Sequence, residues 1–214
     1  MSNYEQKYYR IKNKFYFDQF KKIHNIPKVF WINDFWHNNI YEWEIFIRKF
    51  SITDIFSIYT PFHTKKKDHA NYFGKNINVK FHKYFRSVNP KDFFKRKKKD
   101  IDVLMLGAMS GFYPNRQYFL DNLNKSGKLN FIYKKHPGYL FKKDIKSKSN
   151  VGKNYFKLLS KSKIFITCST KFNIPIAKVW EIMASGNLLM IDKINNSKFI
   201  KLKANKNYVE ISKN

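Results

Sequence analysis

KIFITCS (residues 163–169), IPIAKVWEIMASG (174–186) and NLLMID (187–192) follow one another in the C-terminal third of the chain. Two short apolar runs flank a stretch with helical spacing that stops on glycine. Strand, helix, glycine stop, strand is a βαβ unit, and it predicts a parallel sheet. On the helix, Lys178, Glu181 and Ser185 stand at i, i+3 and i+7 and share a face, while Ile176, Val179, Ile182 and Met183 share the opposite one. Glu181 is the only carboxylate between Asp144 and Asp192. A lone acid beside a lysine on one helix face has two readings: a ligand contact, or a surface ion pair worth a few tenths of a kcal/mol.

The chain has 214 residues, enough for one large domain or two small ones. Hydrophobic content of 43% and aromatic content of 19% argue against disorder over most of it. The formal net charge is +28, from 43 Lys+Arg against 15 Asp+Glu. Clustered cations would point to nucleic acid. Here lysines are spread through nearly every block of ten, interleaved with Asn, Ile, Phe and Tyr, which argues against a nucleic-acid partner. Such a field still attracts nucleotide diphosphates, acidic glycans and anionic membrane surfaces. The single cysteine, Cys168, lies in an apolar run and reads as a small buried hydrophobe. One cysteine excludes an internal disulfide, and no His/Cys/carboxylate cluster has metal-ligand spacing. The N-terminus (MSNYEQKYYR) lacks the apolar region of a signal peptide, no apolar run approaches a membrane span, and a cytoplasmic location is expected.

Outward from the βαβ unit the same rhythm recurs. Strands are expected at 102–106 and 128–133, with helices at 115–124 and 152–162. In the first part, a helix or helical hairpin is expected within 1–26, strands at 28–32, 54–59 and 78–84, and helices at 40–50 and 64–73. Between them lies NPKDFFKRKKK (89–99), read as an interdomain linker or a solvated loop. The expected organisation is α/β, with a partial domain at 1–94 and a second at 95–214.

Ligands of open parallel sheets bind beyond the carboxyl ends of the strands. Those ends carry Gly107, His136, and Ser169 with Thr170. Beyond Gly107 come Tyr113 and Arg116, the latter in the first turn of a helix, where free N–H groups and an arginine fork suit phosphate oxygens. Lys178 would add a second cation, and Glu181 would accept hydrogen bonds from a sugar's vicinal hydroxyls. Plain structural readings stand beside these: Arg116 as a solvated helix residue, His136 as a loop histidine. Gly107 and Gly111 form neither a Walker motif nor a dinucleotide fingerprint. Asp100-Ile-Asp102 sits at the amino end of its strand and reads as structural. In the first half, Asp34 and His37 follow a strand and are candidate general bases toward an acceptor hydroxyl, Asp34 being equally an N-cap.

The ordered set DVLMLGA…YPNR, KKHPG, NYFKLLSKSKIFITCS and IPIAKVWEIMASGNLLMID resembles the C-terminal domain of GT-B glycosyltransferases, most of all the CgeB-like, family-1-like branch. The resemblance covers residues 102–192, and residues 27–94 are similar to the last strands of the family's N-terminal domain. It implies two Rossmann-like parallel-sheet domains facing a cleft, the first incomplete. It implies metal-independent transfer of a sugar from a nucleotide-diphosphate sugar, with no tightly bound cofactor, to a hydroxyl of a glycan, lipid or protein. Carried over, Glu181 matches the acid that binds the donor ribose, Arg116 and Lys178 fall where the diphosphate is met, and Gly107 matches the glycine loop. Tyr113, His136, Ser169 and Ser185 complete the expected donor site. Related retaining enzymes carry a second acid eight residues before the ribose acid, where this chain has Asn173. The family continues past the equivalent of Asn214 with helices that cross back, so a truncated or minimal form is expected. Two other functions stay open: a basic nucleic-acid-binding protein and a non-catalytic glycosyltransferase remnant.

Overall fold

The computed structural model describes residues 14–32, 40–57, 77–84, 86–93, 98–136, 150–171, 173, 175–194 and 201–213. The helix expected at 64–73 lies outside them. The chain divides into two compact units, Met1–Tyr84 and Phe85–Asn214, a division ten residues earlier than the expected boundary after residue 94. Phe93, in the segment read as a linker, packs its ring edge-on against Phe156 of the second unit at 4.9 Å.

The first unit holds α1 (Lys14–Lys22), β1 (Val29–Ile32), α2 (Ile40–Phe50), β2 (Asp54–Ser57) and β3 (Lys80–Lys83). The three strands pair in parallel in the order β1-β2-β3. Trp43, Ile47 and Phe50, at i, i+4 and i+7 of α2, are buried with Ile32, Ile52, Ile55 and Val79. The opposite face of α2 exposes Tyr41 and Ile45.

The second unit holds β4 (Ile101–Leu106), α3 (Arg116–Ser126), β5 (Phe131–Lys134), α4 (Gly152–Lys161), β6 (Ser162–Thr167), α5 (Lys178–Ala184), β7 (Leu188–Ile191) and β8 (Val209–Glu210). All its strands are parallel, in the order β5-β4-β6-β7-β8. A parallel sheet must be covered on both faces, and the alternation along β4 shows that it is. Leu104 and Leu106 join a core with Leu159, Phe165, Val179 and Ile182, under α4 and α5. Val103 and Met105 join another with Phe119 and Ile166, under α3. Full burial of Val179 and Ile182 contributes about 1.5–3 kcal/mol each. The protein is therefore mixed α/β with two parallel-sheet units, and the second is a doubly wound, Rossmann-like layer.

The winding reverses between β4 and β6. Beyond their carboxyl ends the connections run to opposite faces and leave a crevice. Helix α5 is held on the far side of that crevice by its terminus. Gly186 takes a φ of +67°, its N–H donates to the carbonyl of Met183, and the N–H of Asn187 donates to that of Ile182. This is a Schellman stop, and its left-handed residue favours glycine. Asn187 is buried and its side chain donates to the carbonyl of Leu159 and to Ser162 Oγ, which ties α5 to α4 and β6.

Candidate functional site

The site is built from the loop after β4. Gly107 ends that strand with a φ of +147°, a region that L-residues avoid. A Cβ there would lie 2.6 Å from Arg116 Nη1. Glycine is needed for the backbone angle and because a guanidinium passes over it. Arg116 opens α3, yet its side chain is only 2% exposed. Its Nη1 donates to the carbonyl of Ala108 at 2.5 Å and its Nη2 to Thr167 Oγ1 at 3.4 Å. The Tyr113 ring lies 4.0 Å from its Cζ. Nε is buried with no hydrogen-bond partner among the described residues. Cys168 beside it feels both this cation and the buried carboxylate of Asp192, so the charge is held in a largely dehydrated setting at the switch point. Arg116 is thus neither the solvated residue of one sequence reading nor an exposed phosphate fork. It is a charge set under the glycine loop.

Around it stand other residues singled out in the sequence. Burial, then the charges of Lys178 and Arg116, hold the His136 imidazole below its ordinary range. Burial also holds Lys178 below the ordinary lysine range; Glu181 opposes this and Arg116 adds to it. Lys178 and Arg116 thus bear on His136, and Glu181 and Arg116 on Lys178, although these groups come from three different strand ends. Glu181 accepts a hydrogen bond of 2.6 Å from Tyr155 Oη on Oε2. Lys178 Nζ sits 5.8 Å from the centroid of the same tyrosine ring. Burial, followed by the charge of Glu181 and the bond to it, pushes the Tyr155 phenol far up, so it remains a donor.

Ser169 and Ser185 stand apart from this cluster. The N–H of Ser169 donates to Asp192 Oδ1 at 2.6 Å and its hydroxyl to the carbonyl of Thr170. Ser185 is buried and its hydroxyl donates to the carbonyl of Glu181 at 2.8 Å, which closes the last turn of α5. Asp34 and His37 lie outside the described residues. Cys168 is fully buried, and burial pushes its thiol up to about 11, as suits a packed hydrophobe. Asp102 pairs with Lys163 at 2.6 Å near the start of β4. Among the described residues no group of three or more His, Cys, Asp or Glu is placed to hold a metal ion.

Two residues of the site escaped the sequence reading. Asp192 follows β7 and is 6% exposed. Besides Ser169 it accepts Asn115 Nδ2 on Oδ2 at 2.6 Å, and so braces the loops after β4 and β6. Asking what lies beyond the fourth apolar run of this half, NLLMI, would have found it. Tyr155 had no local signal, because its partner is 26 residues away on another helix.

No protein-family model matches the chain, and no curated protein does. Among solved structures it is similar to one described as "Crystal structure of GtfA/B complex", at 10% identity and a TM-score of 0.46. The likeness covers 83% of this chain and 38% of that one, so this chain spans well under half the length of its neighbour.

Proposed function

We propose that the second unit binds a nucleotide-diphosphate sugar and that the protein transfers the sugar to a hydroxyl acceptor. The observation that carries this reading is the meeting of Lys178, His136 and buried Arg116 with Glu181 at the β4/β6 switch point. Lys178 and Arg116 disfavour the charged form of His136, and Arg116 that of Lys178, so the place is a ready seat for a polyanion, because a bound anion relieves the repulsion. Lys178 meets the diphosphate, and Arg116 supplies field from beneath the Gly107 loop. Glu181 keeps Oε1 for the vicinal hydroxyls of ribose while Oε2 stays on Tyr155.

In this reading the bond from the anomeric carbon to the diphosphate breaks as charge gathers on the leaving oxygens. Preorganised cations stabilise that charge at little reorganisation cost. A base for the acceptor hydroxyl, Asp34 or His37, is carried in the proposal on the sequence pattern alone. A glycan, lipid or protein acceptor, peripheral contact with an anionic membrane and a cytoplasmic setting belong to the same proposal.

Calorimetric titration with UDP and GDP tests the site. At least one should bind, and Glu181→Ala should weaken it about tenfold or more, the value of a lost charge-assisted hydrogen-bond pair. Absence of binding by the parent chain, or equal binding by the variant, rejects the reading.

A further inference from the structure

We infer that Tyr155 is a positioning residue that keeps Lys178 and Glu181 apart, so that the cation and the carboxylate of one helix face stay available to a ligand instead of neutralising each other. The two charges stand at i and i+3 on α5, the spacing at which an ion pair closes on a helix surface. Among the described residues they make no ion pair within 4.0 Å. One side chain from α4 occupies both. Its hydroxyl donates to Glu181 Oε2 at 2.6 Å, and its ring face lies 5.8 Å from Lys178 Nζ. A phenol-to-carboxylate bond of this length is charge-assisted and fixes the carboxylate rotamer. The ring offers the ammonium a quadrupole without a negative charge, so it orients the lysine and leaves its charge unspent. Tyr155 is half-buried and held by packing on the core under α4 and α5.

Removing only the hydroxyl frees Glu181 to turn onto Lys178. For what the separated charges then serve, the inference rests on the donor-site reading; for the separation itself it does not. Two measurements on the full chain therefore distinguish the failures. The first needs no ligand: competitive amine labelling of Lys178 across pH, read by mass spectrometry. In the parent the amine should react as one with depressed basicity. Tyr155→Phe should move its profile to higher pH, and adding Glu181→Gln should move it back. Glu181→Gln also lowers the profile in the parent, where Glu181 already supports the charged amine, so the diagnostic reversal is a larger drop in the Tyr155→Phe background; a merely structural effect would leave the two drops equal. An unmoved profile in Tyr155→Phe, or no reversal, overturns the inference even if nucleotides bind. The second measurement is titration with inorganic pyrophosphate. Tyr155→Phe should weaken it about tenfold, the scale of a captured charged partner, and Tyr155→Phe with Glu181→Gln should restore it. If the labelling shift and its reversal hold while the parent binds neither pyrophosphate nor nucleotide, the separation stands and the donor-site reading falls.

Discussion

Gly107 and Asp192 show how single residues set the crevice. At Gly107 the backbone angle alone penalises any side chain, and the neighbour that a methyl would meet is Arg116 Nη1. The end of an arginine usually swings aside. This one is held by Ala108, Thr167 and the Tyr113 ring, so it cannot do so without losing those contacts. Gly107→Ala should therefore cost about 1–3 kcal/mol in urea unfolding, chiefly from the backbone. It should also dislodge Arg116, which NMR titration would show as a His136 imidazole moving up toward its ordinary range. Asp192→Ala removes the acceptor of a fully buried Ser169 N–H and of the Asn115 amide. A loss of about 2–4 kcal/mol is expected by the same unfolding measurement, since one orphaned donor is a backbone group. Asp192 was open to a strand-end argument that stopped one strand too early. The burial of Arg116 was not, because nothing in YPNR says that a polar head will fold back under its own loop.

Elements whose signal is local were legible, and those fixed by distant partners were not. Helix α2 spans Ile40–Phe50, where its apolar spacing places it. The β5 run reads as a strand from residue 128, but the strand begins at Phe131. Asn130 is spent on β4, its side chain donating to the carbonyl of Asp100 at 2.6 Å and its N–H to Asp102. Helix α5 starts at Lys178 rather than 175: Pro175 and Ile176 are irregular and Ala177 is turn. Strand β8 is two residues long and exists only as a partner of β7. The convergence of β4, β5 and α5 groups on one edge followed from the βαβ pattern; the Tyr155 bond did not. That convergence also sets a pH dependence. Folding depresses His136 below the 6.5 of a free imidazole, chiefly by burial and then by Lys178 and Arg116. As pH falls below about 6.5 the unfolded chain takes up this proton first, so stability declines until the folded imidazole also protonates. A bound diphosphate favours the protonated forms of both His136 and Lys178. Binding of a sugar-capped diphosphate such as UDP-glucose, which lacks the terminal phosphate ionisation at about pH 6 that free UDP has, should then take up protons and tighten as pH falls from 7 to 6, and calorimetry in buffers of different ionisation enthalpy reads this directly. Proton release on binding would contradict the placement of the anion among these groups.

At the scale of the whole molecule, the net charge of +28 attracts polyanions wherever they touch it, and this diffuse pull must be separated from a site. The two differ in how salt acts on them. Dispersed surface lysines release counterions as they neutralise phosphates, so a protein making about 6–10 such contacts loses roughly 10³–10⁵ in affinity between 50 and 200 mM salt. The crevice has another character: Arg116 is buried and Lys178 is withdrawn from water. Salt screens such charges far less than exposed ones, the Debye length being about 10 Å at 0.1 M. UDP affinity should therefore fall less than about tenfold between 50 and 200 mM salt, while binding of a duplex RNA, if measurable at 50 mM, should collapse. Lys178→Ala, which removes one of 43 Lys+Arg, should abolish most of the first and leave the second nearly unchanged. Parallel salt slopes for UDP and RNA, with Lys178→Ala without selective effect, would mean that the charge of the chain and not the β4/β6 crevice holds the nucleotide. The contrast is decisive because both ligands carry phosphates and meet the same net charge, so only a localised, partly dehydrated arrangement can separate them.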